Sequence, residues 1–219
     1  MLLCLVLCLS LFPATVFAEE KEDAEPAAGG LDAETETLYR ALLQYGRYGQ
    51  LTFGNKTDDL PGTEGAPALA PIPAAYAPKN DPTNFGAYVT KFERTLDLNA
   101  ATSMNLYITF ANGYSRNSFD IGVLDKDGKA YTASKWSVTD MGNNRVRVKI
   151  EGVLSPQLAR NFSIQVTLKS DTTKTATWNN SVLTCAYVYD RTLSGNAKSL
   201  MQALYQYYLA SAALFPQYR

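Results

Sequence analysis

Two hydrophobic periods alternate along this chain, and the places where they change divide it. From Leu31 to Phe53 the apolar positions Leu38, Leu42, Tyr45, Gly49 and Phe53 recur every 3.6 residues or so, which predicts a helix with one buried stripe. Asp32 stands where an N-cap belongs, and Glu34 and Glu36 fall in the first turn, where the helix dipole favours acids. Gly54-Asn55 then supplies a left-handed stop. Residues 55–84 carry six prolines, Pro61 to Pro82, and neither period, so they form an extended strap or linker.

Beyond the strap the period falls to two. Met104, Leu106, Ile108 and Phe110 alternate with Asn105, Tyr107 and Thr109, and Val146, Val148 and Ile150 alternate with Arg145, Arg147 and Lys149. Phe162, Ile164, Val166 and Leu168 do the same against Ser163, Gln165, Thr167 and Lys169. Each is a strand with one wet face. Asp127-Gly128 and Gly142-Asn143-Asn144 mark hairpin turns between short strands near 119–125, 129–139 and 145–151. About seven strands at this spacing over residues 85–178 predict an antiparallel immunoglobulin-like β-sandwich, though spacing leaves strand order open.

After Trp178 the helical period returns. Asn180-Ser181 caps a segment with Val182, Cys185, Ala186, Tyr189 and Leu193 on one face, stopped at Ser194-Gly195. Asn196 then caps a last helix over roughly 197–215 that is apolar nearly all round, and such a helix must be covered on several sides. This helix repeats the first one: "ALLQY" at 41–45 returns as "ALYQY" at 203–207, with Leu38 matching Leu200 and Phe53 matching Phe215 at an unchanged offset. Matched stripes before and after the strands predict that residues 181–219 pack on 31–54. Gly46 and Gly49 read as the point of a close helix crossing. The fold class is therefore α+β: a sandwich clasped by one N-terminal and two C-terminal helices.

The ends of the chain bear on its address. Residues 1–18 are an apolar run closing on Val16-Phe17-Ala18, a small-x-small cleavage signal, followed by an acidic leader over 19–30. This reads as a secretory signal peptide, with the mature protein secreted or at the cell surface and not inserted in a membrane. The Lys or Arg that commonly precedes such a core is missing, which points to a start further upstream or to a piece of a longer chain. Removing the leader removes Cys4 and Cys8 and leaves Cys185 alone, so an internal disulfide is excluded and stability rests on an apolar core.

Charge and residue content narrow the chemistry. Twenty Lys and Arg against 21 Asp and Glu, with no basic cluster, give no electrostatic footprint for nucleic acid. Histidine is absent, which excludes Ser-His and Cys-His nucleophilic pairs and imidazole metal sites. Asp125-Lys126-Asp127-Gly128 begins like a calcium loop but lacks the closing ligands, so it reads as a hairpin turn and no metal or other cofactor is expected. Cys185, on an apolar helical face, reads as a buried hydrophobe.

"ALLQYGRYGQLTFG" with "NKTDDL", strands, and then "SVLTCAYVYDRTLSGNAKSLMQALYQYYLASAALFPQY" resemble a module of secreted and surface proteins of anaerobic Gram-positive bacteria. In that family a KALLxYGAAAQxYF segment precedes strands, and YAYxVL and ALYxYNxAAxxYF segments close the chain. The likeness covers most of 38–60 and 181–218. It implies export, a C-terminal module position, neighbours that handle polysaccharides or adhere to surfaces, and no catalytic residue to carry over. The proline strap and Tyr208, where the family often has Asn, depart from the pattern.

Candidate ligand-binding residues are aromatics off the core register: Tyr107 on the wet face of its strand, Tyr114 with Arg116 in the loop 112–117, and Trp136 near a turn. An exposed ring with adjacent amides stacks on a sugar and bonds its hydroxyls. The sequence thus predicts a non-catalytic accessory or adhesion module with a glycan or a cell-surface protein as partner. The alternatives are an extracellular hydrolase using paired carboxylates and a purely structural spacer of a larger surface protein.

Overall fold

A computed structural model describes residues 30–54, 60, 62–79, 85–98 and 102–218. The candidate signal peptide, and the acidic leader up to its last residue, lie outside the described residues, as does Asn55 of the expected helix stop. The described residues form three helices and two antiparallel sheets, α1 (Ala33–Phe53), β1 (Val89–Leu98), β2 (Thr102–Phe110), β3 (Phe119–Leu124), β4 (Trp136–Asp140), β5 (Arg145–Val153), β6 (Phe162–Leu168), β7 (Thr175–Asn180), α2 (Val182–Thr192) and α3 (Gly195–Leu214). One sheet has the order β1-β2-β5-β4 and the other β3-β6-β7, and neither closes into a barrel.

The period-two residues meet between the sheets. Met104, Leu106 and Ile108 of β2 and Val148 and Ile150 of β5 are fully buried with Phe119 of β3 and Ile164 and Val166 of β6. Two ring stacks join the layers: Phe110 on Phe119, centroids 4.5 Å apart, and Phe92 of β1 on Trp178 of β7, 5.1 Å apart. Register matters because a one-residue slip would turn Arg145, Arg147 and Lys149 into this core.

The Asp125–Gly128 turn forms as expected: Asp125 Oδ1 accepts the N–H groups of Asp127 and Lys129, and Gly128 has φ +74°. The hairpin expected after it is cut short: the Asp125 N–H donates to the Lys129 carbonyl and the Tyr131 N–H to the Val123 carbonyl around a single Leu124–Ala130 bridge, then a 3-10 turn follows at Ala133–Lys135 and β4 starts at Trp136 in the opposite sheet. The segment 129–139 is a crossover because Val138 and Trp136 find their burial beside Val148 and Ile150 of β5.

The helices pack as the repeat predicts at its centre and not at its edges. Asp32 caps α1 through the N–H groups of Glu34 and Thr35. Tyr45 of α1 stacks on Tyr207 of α3, its own counterpart in the repeat, with centroids 5.7 Å apart and planes within 7°. Leu38 and Ala41 bury against Tyr207 and Ala210, while the far face of α3 sends Leu200, Met201 and Leu204 into the inter-sheet core. At the end of the repeat Phe215 packs on the helix pair, but Phe53 is 71% exposed.

Three expectations are overturned locally. Gly54 ends α1 in an extended conformation, φ −80° and ψ 145°, and not in a left-handed one. It is glycine because a Cβ would stand 2.7 Å from the Gln50 carbonyl oxygen. The last helix starts at Gly195, whose φ of +56° lets the chain turn directly out of α2, two residues before the position expected from an Asn196 cap. Finally, a Cβ at Gly46 or Gly49 would meet no described atom within 4 Å. The helices cross at Ala41 and Tyr45 instead, so the glycines only weaken α1. Gly46→Ala and Gly49→Ala are each expected to stabilise the protein by about 0.5–1 kcal/mol in urea titrations, and a loss would reinstate the close crossing.

The strap is tied down at several points. Arg40, ion-paired to Glu36 at 2.6 Å, also donates to the Glu64 carbonyl, and Gln44 Nε2 donates to the Pro67 carbonyl at 3.0 Å. Ile72 is fully buried; its N–H donates to Asp190 Oδ2 at 3.1 Å, and its carbonyl accepts from Arg191 at 3.2 Å. Asp190, fully buried at the end of α2, takes Gln202 Nε2 of α3 on its other oxygen at 2.8 Å. One carboxylate therefore fastens the strap and the two C-terminal helices together.

Candidate functional site

Strand alternation makes the outer face of the four-stranded sheet. With Val146, Val148 and Ile150 turned inward, Arg145, Arg147 and Lys149 form a row on the opposite side of β5, roughly 7 Å apart. Their neighbours across the sheet are Thr109, Tyr107 and Asn105 of β2, and beyond these Lys91, Glu93 and Thr95 of β1. The Arg145 guanidinium lies over the Tyr107 ring at 4.5 Å, a cation–π contact that fixes the ring's orientation.

The charges on this face are partly spent on one another. Glu93 takes Lys91 at 2.9 Å and Arg145 at 3.0 Å; hydrogen bonding from Lys91, then Coulombic attraction to Lys91 and Arg145, holds its carboxyl below the usual range. Lys149 pairs with Glu151 at 3.1 Å and stands 4.0 Å from Asp97. Arg147 makes no ion pair among the described residues and reaches only the Thr139 hydroxyl, at 3.4 Å. The Nε atoms of Arg145 and Arg147 are buried without a partner, as is Oδ1 of Asn105, a residue only 8% exposed. These three atoms are closed to solvent, so what the face presents is the held ring of Tyr107 and the half-exposed side chain of Arg147.

The four residues singled out from the sequence do not converge. Tyr107 alone lies on this face. Tyr114 packs edge-on against Tyr88 at 5.3 Å and leans on Phe119 at 5.7 Å, closing the end of the inter-sheet core. Arg116 donates to the Phe119 carbonyl at 2.7 Å, inside a short turn capped by Ser115. Trp136 shares the core side of β4, where it packs against the core cluster and its Nε1 donates to the Tyr131 carbonyl at 3.3 Å. Cys185 is fully buried and desolvation pushes its thiol up to about 12, which leaves no thiolate at neutral pH.

The carboxylates with displaced titration all move one way. Asp32 is lowered chiefly by the Thr35 N–H, Asp125 by the Lys129 N–H, Asp171 by the Thr173 hydroxyl and Glu93 by Lys91. Groups depressed in the folded state hold protons more tightly when unfolded, so their contribution is present above the unfolded pKa and lost as pH falls through the folded one. The melting temperature is expected to hold between about pH 7 and pH 5 and to drop below about pH 4. A melting temperature that rises on acidification would contradict this.

One concavity was not legible in the sequence. The strap's turn at Ala74–Tyr76, the β5–β6 connection and the start of α2 border a half-open cavity of about 330 Å³ lined by Tyr76, Lys79, Asn161, Asn179, Ser181, Thr184 and alanines, with Lys79, Asn161 and Asn179 exposed at its mouth. Asn161 and Asn179 sit beside wet-face positions of β6 and β7, a signal available from alternation, but nothing in the composition of the strap placed Tyr76 and Lys79 over them. Comparison with protein-family models and with curated proteins returns no match.

Proposed function

We propose that this chain is a non-catalytic binding module of an exported or cell-surface protein, an immunoglobulin-like sandwich clasped by helices, and that it holds glycans on the outer face of its four-stranded sheet. The sheet orders β1-β2-β5-β4 and β3-β6-β7 support the architecture: lettered A to G in chain order they read A-B-E-D and C-F-G, the arrangement of constant-type immunoglobulin domains. The apolar run ahead of an acidic leader supports export, as does the resemblance to surface modules of anaerobic Gram-positive bacteria.

The observation that carries the binding reading is Tyr107, oriented by Arg145 beside the half-exposed Arg147 and Lys149. A ring fixed in advance loses little entropy when a sugar stacks on it, and the guanidinium of Arg147, which pairs with no carboxylate among the described residues, supplies hydrogen bonds to hydroxyls. The non-catalytic reading draws support from the carboxylates: among the described residues those with displaced titration are all held down, whereas a glycosidase acid needs one held up.

A glycan array probed with the purified chain tests this. At least one glycan class should be retained, and Tyr107→Ala and Arg147→Ala should each weaken it about tenfold or more. Absence of binding to every glycan would favour the structural spacer. Polysaccharide turnover abolished by a single Asp or Glu substitution would favour the hydrolase.

A further inference from the structure

The cavity beneath the strap is built from groups that outnumber their partners. Asn179 Oδ1 accepts from Ser163 Oγ at 2.6 Å and from Asn161 Nδ2 at 3.4 Å, so the Asn179 amide nitrogen keeps both protons uncommitted among the described residues. Ser181 and Thr184 are 3% and 8% exposed, and their hydroxyl oxygens lie 3.0 Å apart. Ser181 Oγ already accepts the Thr184 N–H, also at 3.0 Å. Two hydroxyls in mutual contact use one proton between them, and the second has no acceptor among the described residues. A polar group this deeply buried normally has its bond, and the cavity is the place from which a ligand would supply it.

The charge of the lining is one-sided. Lys79 is exposed and makes no ion pair among the described residues, and no lining residue is acidic. α2 begins at the same space, but the Leu183 and Thr184 N–H groups are already taken by the Leu158 carbonyl and Ser181 Oγ, so the helix adds only the positive end of its dipole. Tyr76, set edge-on against Tyr205 at 5.9 Å, gives the cavity its aromatic wall. The volume of about 330 Å³ lies at the small end of the range for ligand sites, roughly 300–1,000 Å³.

We propose that this cavity binds one hexuronate residue, a sugar ring carrying a carboxylate. Lys79 takes the carboxylate, Asn161, Asn179 and the Ser181–Thr184 hydroxyl pair take ring hydroxyls, and Tyr76 packs against the ring. A surplus of donors with a cation asks for an anionic, acceptor-rich ligand, and the amide acceptor of Asn161 asks for hydroxyl groups on it. The site is separate from the outer sheet face and stands whether or not that face binds glycans.

Titration of the full chain with D-galacturonate, followed by calorimetry and by amide chemical shifts, tests the proposal. Saturable binding is expected, weakening as salt is raised, with galactose at least tenfold weaker. Lys79→Met should reduce affinity about tenfold, Lys79→Arg should restore most of it, and Asn179→Ala should weaken it several-fold. Shifts should gather on residues 74–79, 159–161 and 179–184 and not on β2 or β5, which separates this site from the sheet face. Equal binding of galactose and galacturonate, indifference to Lys79→Met, no binding at all, or an N-acetylated dipeptide binding as tightly as the uronate would each overturn it.

Discussion

Removing residues 197–219 should abolish the native state and not merely shorten it. Leu200, Met201, Leu204 and Tyr207 of α3 are between 0% and 6% exposed, the first three within the inter-sheet core and Tyr207 against α1. At about 1.5–3 kcal/mol for each large side chain, their burial contributes roughly 6–12 kcal/mol, comparable with the whole net stability of a domain, about 5–15 kcal/mol. Loss of near-ultraviolet dichroism and of slow hydrogen exchange would register the collapse. The converse experiment expresses residues 84–181 alone, the strands with β7 complete. Without Leu183, Leu200 and Leu204 the strands leave one end of their core open, so no cooperative melt is expected; a transition near that of the full chain would show that the helices are a separable appendage.

The second large effect centres on Asp190. Asp190→Ala strands the buried Ile72 N–H and the half-buried Gln202 Nε2 at once, and leaves the strap held to the C-terminal helices only by Arg191 on the Ile72 carbonyl and Tyr76 on Tyr205. An expected cost of about 3–5 kcal/mol follows from leaving partners of a buried carboxylate unpaired. Asp190→Asn should be much milder: its oxygen can take the Ile72 N–H while its amide donates to a flipped Gln202. Urea unfolding of both variants decides the matter. Similar losses for Ala and Asn would mean that charge, not acceptor geometry, holds the junction.

Legibility in the sequence followed the range of the interaction. Helix and strand periods are set by neighbours two to four residues apart, so α1, β2, β5 and β6 could be read from spacing, and Asp32 and Ser181 announced their caps. The Tyr45–Tyr207 stack was legible because the chain repeats itself there. The crossover at 129–139 was not, since its turn chemistry suits a hairpin and only the distant β5 decides otherwise. Gly46 and Gly49 misled because a glycine permits a close approach without requiring one. At the candidate site, alternation alone put Tyr107 outward, whereas Tyr114 and Trp136 became core margin through contacts with Phe119, Tyr88 and Tyr131 that no local pattern encodes. The strap's docking through Ile72 was hidden for the same reason, and with it the cavity it roofs.

The stack of Tyr45 on Tyr207 also sets a timetable. Its partners are roughly 160 residues apart, so the contact carries a large loop-closure cost and forms late on the folding path. Contacts absent from the folding transition state govern how fast the protein comes apart, so truncating Leu38 is expected to speed unfolding and leave the folding rate nearly untouched, which stopped-flow kinetics in urea would register. On a ribosome adding about 5–20 residues per second, α1 precedes its partner by roughly 10–30 s. For that interval the stripe of Leu38, Ala41 and Tyr45 lacks the partner that covers it in the folded protein.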